Sequence, residues 1–174
     1  TLYGELEVSK NLLQSDINAN VRAFRPGFLL IHPQQTKTLL NLGYEFSSSN
    51  TACDVLSNFP FYLHEYQDFD APLTNLLEIP LTNSDVVRDY VLDSLNYPTL
   101  VNTWKNVYLK NHANHAPTTL LIHPTKNFKF LAEQSFISQL PGGVVYKTIE
   151  GFGDYWKKRA LVNLFNCSLF FTGV

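Results

Sequence analysis

Two residues of the sequence, Arg25 and His123, combine a reactive side chain with a position from which it could act. Arg25 follows the mostly apolar run 21–24 and precedes Pro26, which cannot donate to a β-ladder, so we expect it at the C-terminal end of a strand. An arginine beside apolar residues needs a carboxylate or carbonyl partner, and its planar fork suits a carboxylate best. His123 ends a second apolar and β-branched run, 118–122, where an imidazole is a candidate general acid or base.

Each of these two residues also has a purely structural alternative. Arg25 could serve only to tie down a loop, because structural ion pairs are common. His123 could cap a helix or be satisfied within the core, because a single histidine is a weak sign of function. These alternatives stay open at the level of sequence.

A His-x-x-His pair, His112 and His115, raises the separate question of a metal site. Both residues lie in the connection that enters the 118–122 run, and therefore at the opposite end of that strand from His123. A competent metal site needs several convergent ligands and further residues that orient them. We therefore predict no metal site at this pair, and none formed by this chain alone.

The elements that must position these residues alternate between helix and strand. We predict helices over 2–14, 31–42, 85–95, 99–110, 125–139 and 152–164, and strands over 21–25, 44–46, 76–81, 118–122, 144–147 and 167–171. Residues 50–75 show no clean period and are predicted to form a long, partly ordered insertion.

This alternation predicts an α/β fold with parallel strands and right-handed crossovers. No Gly-x-Gly-x-x-Gly follows the first strand, which disfavours a nucleotide-binding sheet and favours a partial, distorted (β/α) barrel. The predicted strands are fewer than a regular barrel needs, which agrees with missing N-terminal strands. Because parallel strands bring their C-terminal ends together, Arg25 and His123 should converge at one mouth with the polar segments 47–49, 82–85 and 147–150.

Composition narrows the class of protein. The 174 residues, 45% of them hydrophobic, suffice for one well-packed core. The 13 Lys and Arg residues against 15 Asp and Glu give no basic footprint for nucleic acid. No run approaches the roughly 18 apolar residues of a membrane span. The sequence begins at Thr1 and contains no methionine, so we expect its natural start, with any targeting signal, to be absent.

The two cysteines, Cys53 and Cys167, have no metal-type spacing. We expect buried free thiols rather than a disulfide, and the bridge stays open as an alternative.

Several short motifs follow one another along the chain: Glu7-x-x-Lys10, Phe24-Arg25-Pro26-Gly27-Phe28, Leu42-Gly43-Tyr44-x-Phe46-Ser47-Ser48-Ser49, Leu77-Glu78-Ile79-Pro80 and Leu121-Ile122-His123-Pro124. In order and spacing they resemble the polysaccharide deacetylases, the NodB-homology carbohydrate esterases, over about residues 1–160. The resemblance implies a distorted (β/α) barrel and the metal-dependent removal of acetyl groups from N-acetylated sugars. Residues 1–164 would be the C-terminal portion of such a domain, and 165–174 its last strand or the start of a following domain.

The resemblance also implies residue roles. His123 would be the general acid that protonates the leaving amine, Arg25 would orient the catalytic aspartate, and the backbone N–H of Phe28 would contribute to the oxyanion hole. Around the mouth, we assign substrate binding to Tyr44, Ser48 and Asp85.

The departures from the family pattern concern the metal and the base. Gly27 stands where the family has proline, and Ser47 stands where it commonly has aspartate. The divalent metal, often zinc in the family, would be held by the paired aspartates and the His-x-x-x-His of two motifs that this sequence lacks. The ligands and the base are thus expected outside this chain, and the chain alone is expected to be inactive.

The leading hypothesis is a hydrolase that deacetylates an N-acetylated polysaccharide or oligosaccharide. A catalytically inactive carbohydrate-binding or structural barrel of the same fold is the alternative, and a small-molecule amide hydrolase is a third. An envelope or extracellular glycan would place the protein outside the cytoplasm, in the periplasm, the cell envelope or the medium.

Overall fold

The computed structural model describes residues 1–85, 93, 95–123 and 125–162. The helices are α1 (Leu2–Ile17), α2 (Gln35–Asn41), α3 (Ala52–Val55), α4 (Tyr97–Ala113), α5 (Asn127–Ser138) and α6 (Ile149–Ala160). The strands are β1 (Ala23–Phe24), β2 (Phe46–Ser47), β3 (Phe61–His64), β4 (Leu73–Glu78), β5 (Asn83–Ser84) and β6 (Leu120–Leu121). Two short 3₁₀ turns cover Gly27–Leu29 and Glu65–Gln67.

The strands form two sheets, one of order β1-β2-β4-β3 and one of β5 with β6. β1, β2 and β4 are mutually parallel, β3 is antiparallel to β4, and β5 is parallel to β6. An isolated parallel bridge joins Thr51, which follows β2, to Leu81, which lies between β4 and β5 along the chain. Neither sheet of the described residues closes on itself. The predicted α/β class with parallel strands is therefore confirmed at this level.

The direction of the strands decides where a site can form. The bridge at Leu81 keeps residues 73–84 running in one direction, so β5 continues the course of β4. β6 then runs parallel to β5, with Ser84 opposite Leu121. The C-terminal ends of β1, β2 and β6 consequently point the same way, as parallel pairing requires. Arg25 and His123 both follow such ends.

Two apolar clusters support these ends. One joins α4 and α5 under β6 through the ring of Trp104, whose centroid lies 5.7 Å from that of Phe136. The indole N–H of Trp104 also donates to the carbonyl of Ser84 at 3.0 Å, which fixes β5 on α4. The other cluster packs α2 on the four-stranded sheet around Leu39 and Leu76, both fully buried. Burial of large side chains on both sides of the strand ends stabilises the framework.

An ion-pair network fastens α6 to the sheet. Arg22 Nε lies 2.7 Å from Glu45 Oε1, and its Nη2 lies 2.8 Å from Asp154 Oδ1 on α6. Lys157 also pairs with Glu45, at 3.0 Å. The hydrogen bond from Arg22 is the main cause that lowers the pKa of Glu45 to about 2. Gly153 lets α6 approach closely, because a Cβ there would overlap the ring of Phe46.

Most predicted helices are present with shifted ends, and two predictions of secondary structure are wrong. Residues 50–75 are more ordered than expected, because α3, β3, a 3₁₀ turn and the start of β4 occupy them. Because these elements are short and the register of β3 is irregular between Tyr62 and His64, the sequence shows no clean hydrophobic period in this segment. Residues 144–147 form no strand; they lie in irregular backbone, with Val145 and Tyr146 exposed.

The prediction of buried thiols is wrong for Cys53, which is exposed.

Other predictions concern residues that the structure does not describe. Most of the predicted helix 85–95, the strand 167–171 with Cys167, and the segment 165–174 lie outside the described residues. None of the described helices has the length and apolar composition needed to cross a membrane.

Candidate active site

The best-defined polar constellation joins the ends of β5 and β6. Asp85 directly follows β5, and its side chain is 0% exposed. Its Oδ1 lies 2.7 Å from His123 Nδ1, and its Oδ2 accepts from the backbone N–H of His123 at 2.9 Å. Lys129, from the first turn of α5, places Nζ 2.8 Å from the same Oδ2. A carboxylate buried in this way needs such partners to offset its desolvation.

The β5–β6 pairing places these groups opposite one another. The backbone N–H of Asn83 donates to the carbonyl of Thr119 at 3.0 Å, and that of Asp85 donates to Leu121 at 3.1 Å. In this register Asp85 is the first residue beyond the paired segment of β5, and His123 is the second beyond that of β6. The geometry therefore depends on a contact between residues 38 apart in sequence.

The imidazole of His123 is held through Nδ1, and Nε2 stays available to a ligand. A bond from Nδ1 to a carboxylate fixes the tautomer in which Nδ1 carries the proton. Nε2 makes no hydrogen bond to any described residue, and the side chain is 47% exposed. A nitrogen so placed can accept a proton from a ligand or, once protonated, donate one.

The electrostatics of the constellation favour an ionised Asp85. Burial acts to raise the pKa of Asp85, but the hydrogen bonds from Lys129 and His123 outweigh it, so the pKa lies below its ordinary value. The carboxylate thus stays negative beside the ring and can stabilise an imidazolium.

Arg25 follows β1, and its hydrogen bonds go to the next strand. Its Nε donates to the carbonyl of Ser48 at 2.9 Å, and its Nη2 donates to Ser48 Oγ at the same distance. Ser48 Oγ in turn donates to the carbonyl of Ile79 at 2.8 Å, beyond β4. Burial lowers the pKa of Arg25, with the nearby carboxylate of Glu78 acting in the opposite direction. Arg25 therefore bridges β1, β2 and β4 through one serine.

Glu78 is a polar residue of this region that sequence reasoning did not assign to the site. Its side chain is fully buried, and its Oε1 accepts from the backbone N–H groups of Ser49 at 2.7 Å and Asn50 at 2.8 Å. Its Oε2 is buried and has no hydrogen-bond partner among the described residues. Burial raises the pKa of Glu78 in spite of the hydrogen bonds it accepts. The only signal in the sequence was its place in the Leu77-Glu78-Ile79-Pro80 motif.

The three residues predicted to bind substrate are all buried. Tyr44 precedes β2, and so lies at the end away from Ser48; its ring packs on Phe24 and beneath Lys10. Ser48 is engaged with Arg25, and Asp85 with His123. These positions give Ser48 and Asp85 a supporting place behind Arg25 and His123 rather than a surface for a ligand.

Phe28 lies in the turn after Arg25 with its ring 97% exposed. Its φ of 55° is in the left-handed region, which costs a residue with a side chain some energy. Its backbone N–H has no hydrogen-bond partner within the described part of the chain. The role in an oxyanion hole stays a prediction, and the exposed N–H is compatible with it.

Arg25 and His123 share the same edge of the fold but make no direct hydrogen bond. Arg25 lines a cavity of about 500 Å³ together with residues 116–120, which lead into β6. His112, stacked on Tyr108 at the end of α4, lines the same cavity, although we expected it on the opposite face. The cavity extends this far because neither β1 nor β6 is covered by a further described strand. Convergence of Arg25 and His123 stays a prediction.

Comparison with known proteins adds one finding. No family model and no curated protein matches the chain. A crystal structure does, that of a protein from Mycobacterium smegmatis described as a candidate polysaccharide deacetylase, with a TM-score of 0.66 and 15% sequence identity. The chain has a polysaccharide deacetylase fold. The match covers 88% of this chain and 55% of that one, so the chain spans about half the length of its structural neighbour. The similarity to a polysaccharide deacetylase fold that the motifs indicated is thereby confirmed, and the partial (β/α) barrel stays a prediction.

A divalent metal does not fit the residues at hand. No group of three His, Cys, Asp or Glu side chains that could hold a metal occurs in the described ranges. Asp85 and His123 are bonded to each other rather than directed at a common point. The described residues thus offer no ligand set for a metal.

Proposed function

We propose that this chain is part of a hydrolase that removes acetyl groups from N-acetylated polysaccharide, with its strands forming part of a distorted (β/α) barrel. The observation that carries the proposal is the His123–Asp85 pair, placed beyond parallel strand ends in a deacetylase fold. Metal dependence belongs to the proposal only by resemblance to the family, because the described residues supply no ligand set.

In this proposal His123 is the general acid. Cleavage of an amide needs a proton on the departing nitrogen, since an amide anion is a poor leaving group. The protonated Nε2 would supply that proton, while Asp85 holds Nδ1–H and stabilises the positive ring. Lys129 neutralises the second carboxylate oxygen and fixes Asp85 in place.

Arg25 has a separate, positioning role in the proposal. Nε and Nη2 are used by Ser48, and Nη1 makes no hydrogen bond to the described residues. A guanidinium edge facing a cavity is suited to a carboxylate, and the general-base aspartate implied by the family resemblance is a candidate for it.

The substrate and its location are part of the same proposal. An N-acetylated glycan of the cell envelope or the extracellular space would require an exported protein. The alternative, an inactive carbohydrate-binding barrel, shares the fold and would bind the same glycan without cleaving it.

The experiment measures acetate release from a soluble oligomer of N-acetylglucosamine by the intact protein, with and without added Zn²⁺. Release that requires the protein supports the hydrolase. Binding of the oligomer without release, in the presence of the metal, would overturn the hydrolase and favour the inactive barrel.

A further inference from the structure

A second cavity lies in the insertion after β2, apart from the Arg25 and His123 positions. It has a volume of about 680 Å³, is open on one side, and is bordered by α3, β3 and the 3₁₀ turn Glu65–Gln67. We call it the insertion pocket, and it is lined by Asn50, Asp54, Val55, Leu56, Ser57, Phe61, Tyr62, Leu63, His64, Gln67 and Phe69. Its volume is in the range of small-molecule sites.

The insertion pocket is connected to the site region through Asn50. The backbone N–H of Asn50 donates to Glu78 Oε1 at 2.8 Å, beside Ser49 at the end of β2. Phe61, at the start of β3, pairs with Glu78 across the sheet. The pocket therefore begins at the C-terminal ends of β2 and β4. A chain-like ligand bound at these ends could continue into it.

The backbone around the pocket is held in unusual conformations. Leu56, Tyr66 and Gln67 have φ values of 53°, 55° and 56°, all in the left-handed region. Such conformations cost energy for residues with a side chain and persist where the surroundings determine them. Tyr66 is anchored by Lys37, whose Nζ lies 5.7 Å from the ring centroid. Placing Gln67 on the pocket wall thus depends on a strained but anchored turn.

The polar groups of the pocket suit a ligand that both donates and accepts hydrogen bonds. Gln67 Nε2 is buried and has no partner in the described structure, and leaving such a donor unsatisfied is unfavourable. His64 Nδ1 lies 2.6 Å from the carbonyl of Ala71, which leaves Nε2 as an acceptor. Asp54 uses Oδ2 to accept from Thr51, and its Oδ1 makes no hydrogen bond within the described residues.

The apolar groups of the pocket suit the flat face of a ring. Phe69 is 89% exposed and packs edge-on against His64, while Tyr62 is also exposed. Neither lysine nor arginine lines the pocket, and Asp54 does, so an anionic ligand is disfavoured. A neutral sugar ring combines apolar C–H faces with hydroxyl groups that donate and accept, which matches both sets of groups.

We propose that the insertion pocket binds one sugar ring of a neutral, N-acetylated glycan, at a position separate from the one that His123 acts on. This inference rests on the proposed function for the identity of the glycan. Phe69 would stack on the ring, and Gln67, His64 and Asp54 would bind its hydroxyl groups. Such a site would favour oligomers over single sugars, because a longer chain can occupy both positions.

The test is the binding of the tetramer of N-acetylglucosamine to the full chain, measured by titration calorimetry. Phe69→Ala and Gln67→Met should each weaken binding by about tenfold, as the loss of a central contact commonly does. Phe130→Ala, which removes a half-exposed ring from α5, is the control and should leave the affinity unchanged. Thermal melting of each variant checks that the fold persists.

Three results would overturn the inference: no binding of the tetramer by the wild-type chain, equal affinities in wild type and both pocket variants, or equal weakening by Phe130→Ala. His123→Asn separates this test from that of the proposed function, because it should leave tetramer binding intact. Binding that depends on Phe69, without any acetate release, would keep the insertion pocket and contradict the hydrolase.

Discussion

Nδ1 of His123 lies 2.7 Å from Oδ1 of Asp85, a carboxylate that is completely buried between the ends of two parallel strands. The same carboxylate accepts the backbone N–H of His123, so one side chain fixes both the ring and the chain that carries it. This relationship turns a half-exposed histidine into an oriented group with a defined tautomer.

Replacing Asp85 with asparagine tests whether catalysis needs the orientation of the His123 ring and not only its presence. Without the carboxylate, the ring loses its fixed tautomer and Lys129 loses its partner. We expect acetate release to fall by about 10²-fold or more and the free energy of unfolding to fall by about 2 kcal/mol. Steady-state kinetics and urea denaturation measure the two effects. Asp16→Asn, on exposed α1, should change neither, and an equal loss there would contradict the assignment.

Close packing of α6 on the sheet predicts a strong effect of one methyl group. In Gly153→Ala, the new Cβ would overlap the buried ring of Phe46. Because Phe46 has no room to move, we expect a loss of about 1–3 kcal/mol of stability. Gly151→Ala, two residues earlier on the same helix, meets Thr148 Oγ1 at 3.4 Å and Lys147 Cβ at 3.9 Å, both ordinary contacts, and should be neutral or slightly stabilising. Urea midpoints that are equal for both variants would refute this packing.

Glu78 predicts a pH dependence of stability with a definite sign. Burial raises the pKa of Glu78, so the folded chain holds this proton more tightly than the unfolded chain does. Below the ordinary glutamate pKa of about 4, Glu78 is protonated in both the folded and the unfolded chain, and the stability is fully present. As pH rises from there through the folded pKa, the unfolded chain loses the proton first and stability is lost. Glu78→Gln cannot ionise, so the wild type should lose stability relative to this variant between about pH 4 and pH 7.

Urea denaturation of wild type and Glu78→Gln across that pH range measures the difference. Glu7→Gln, on the exposed surface of α1, controls for removal of a carboxylate without burial. A wild type that gains stability relative to Glu78→Gln as pH rises would contradict the raised pKa.

The sequence predicted those features that depend on local signals. Apolar spacing placed α1, α4, α5 and α6 within a few residues of their observed bounds, and Gly43, with a φ of 72°, ends the α2 segment as expected. Arg25 and His123 were correctly placed after strands because a proline follows or nearly follows each strand. Ends of helices shifted because capping and tertiary packing, rather than period, decide them.

Features that depend on pairing between distant segments were missed. Asp85 was assigned to the substrate because only the β5–β6 register reveals that it faces His123. Glu78 was overlooked because an isolated glutamate at a strand end gives no sign of the two N–H groups that it accepts from. The 144–147 run has β-forming residues but no neighbouring described strand to pair with, and β propensity depends strongly on such context.

The central claim is that His123 donates the proton to the leaving amine, and the turnover of His123→Asn tests it most directly. With the intact protein and the N-acetylglucosamine tetramer, kcat for acetate release should fall by about 10²- to 10⁴-fold, the usual share of general acid catalysis. KM and the melting temperature should change little, because the ring is half exposed and Asn can still bond to Asp85. His115→Asn, an exposed histidine in the loop after α4, is the control. Turnover that is unchanged in His123→Asn, or lowered equally in both variants, would contradict the account.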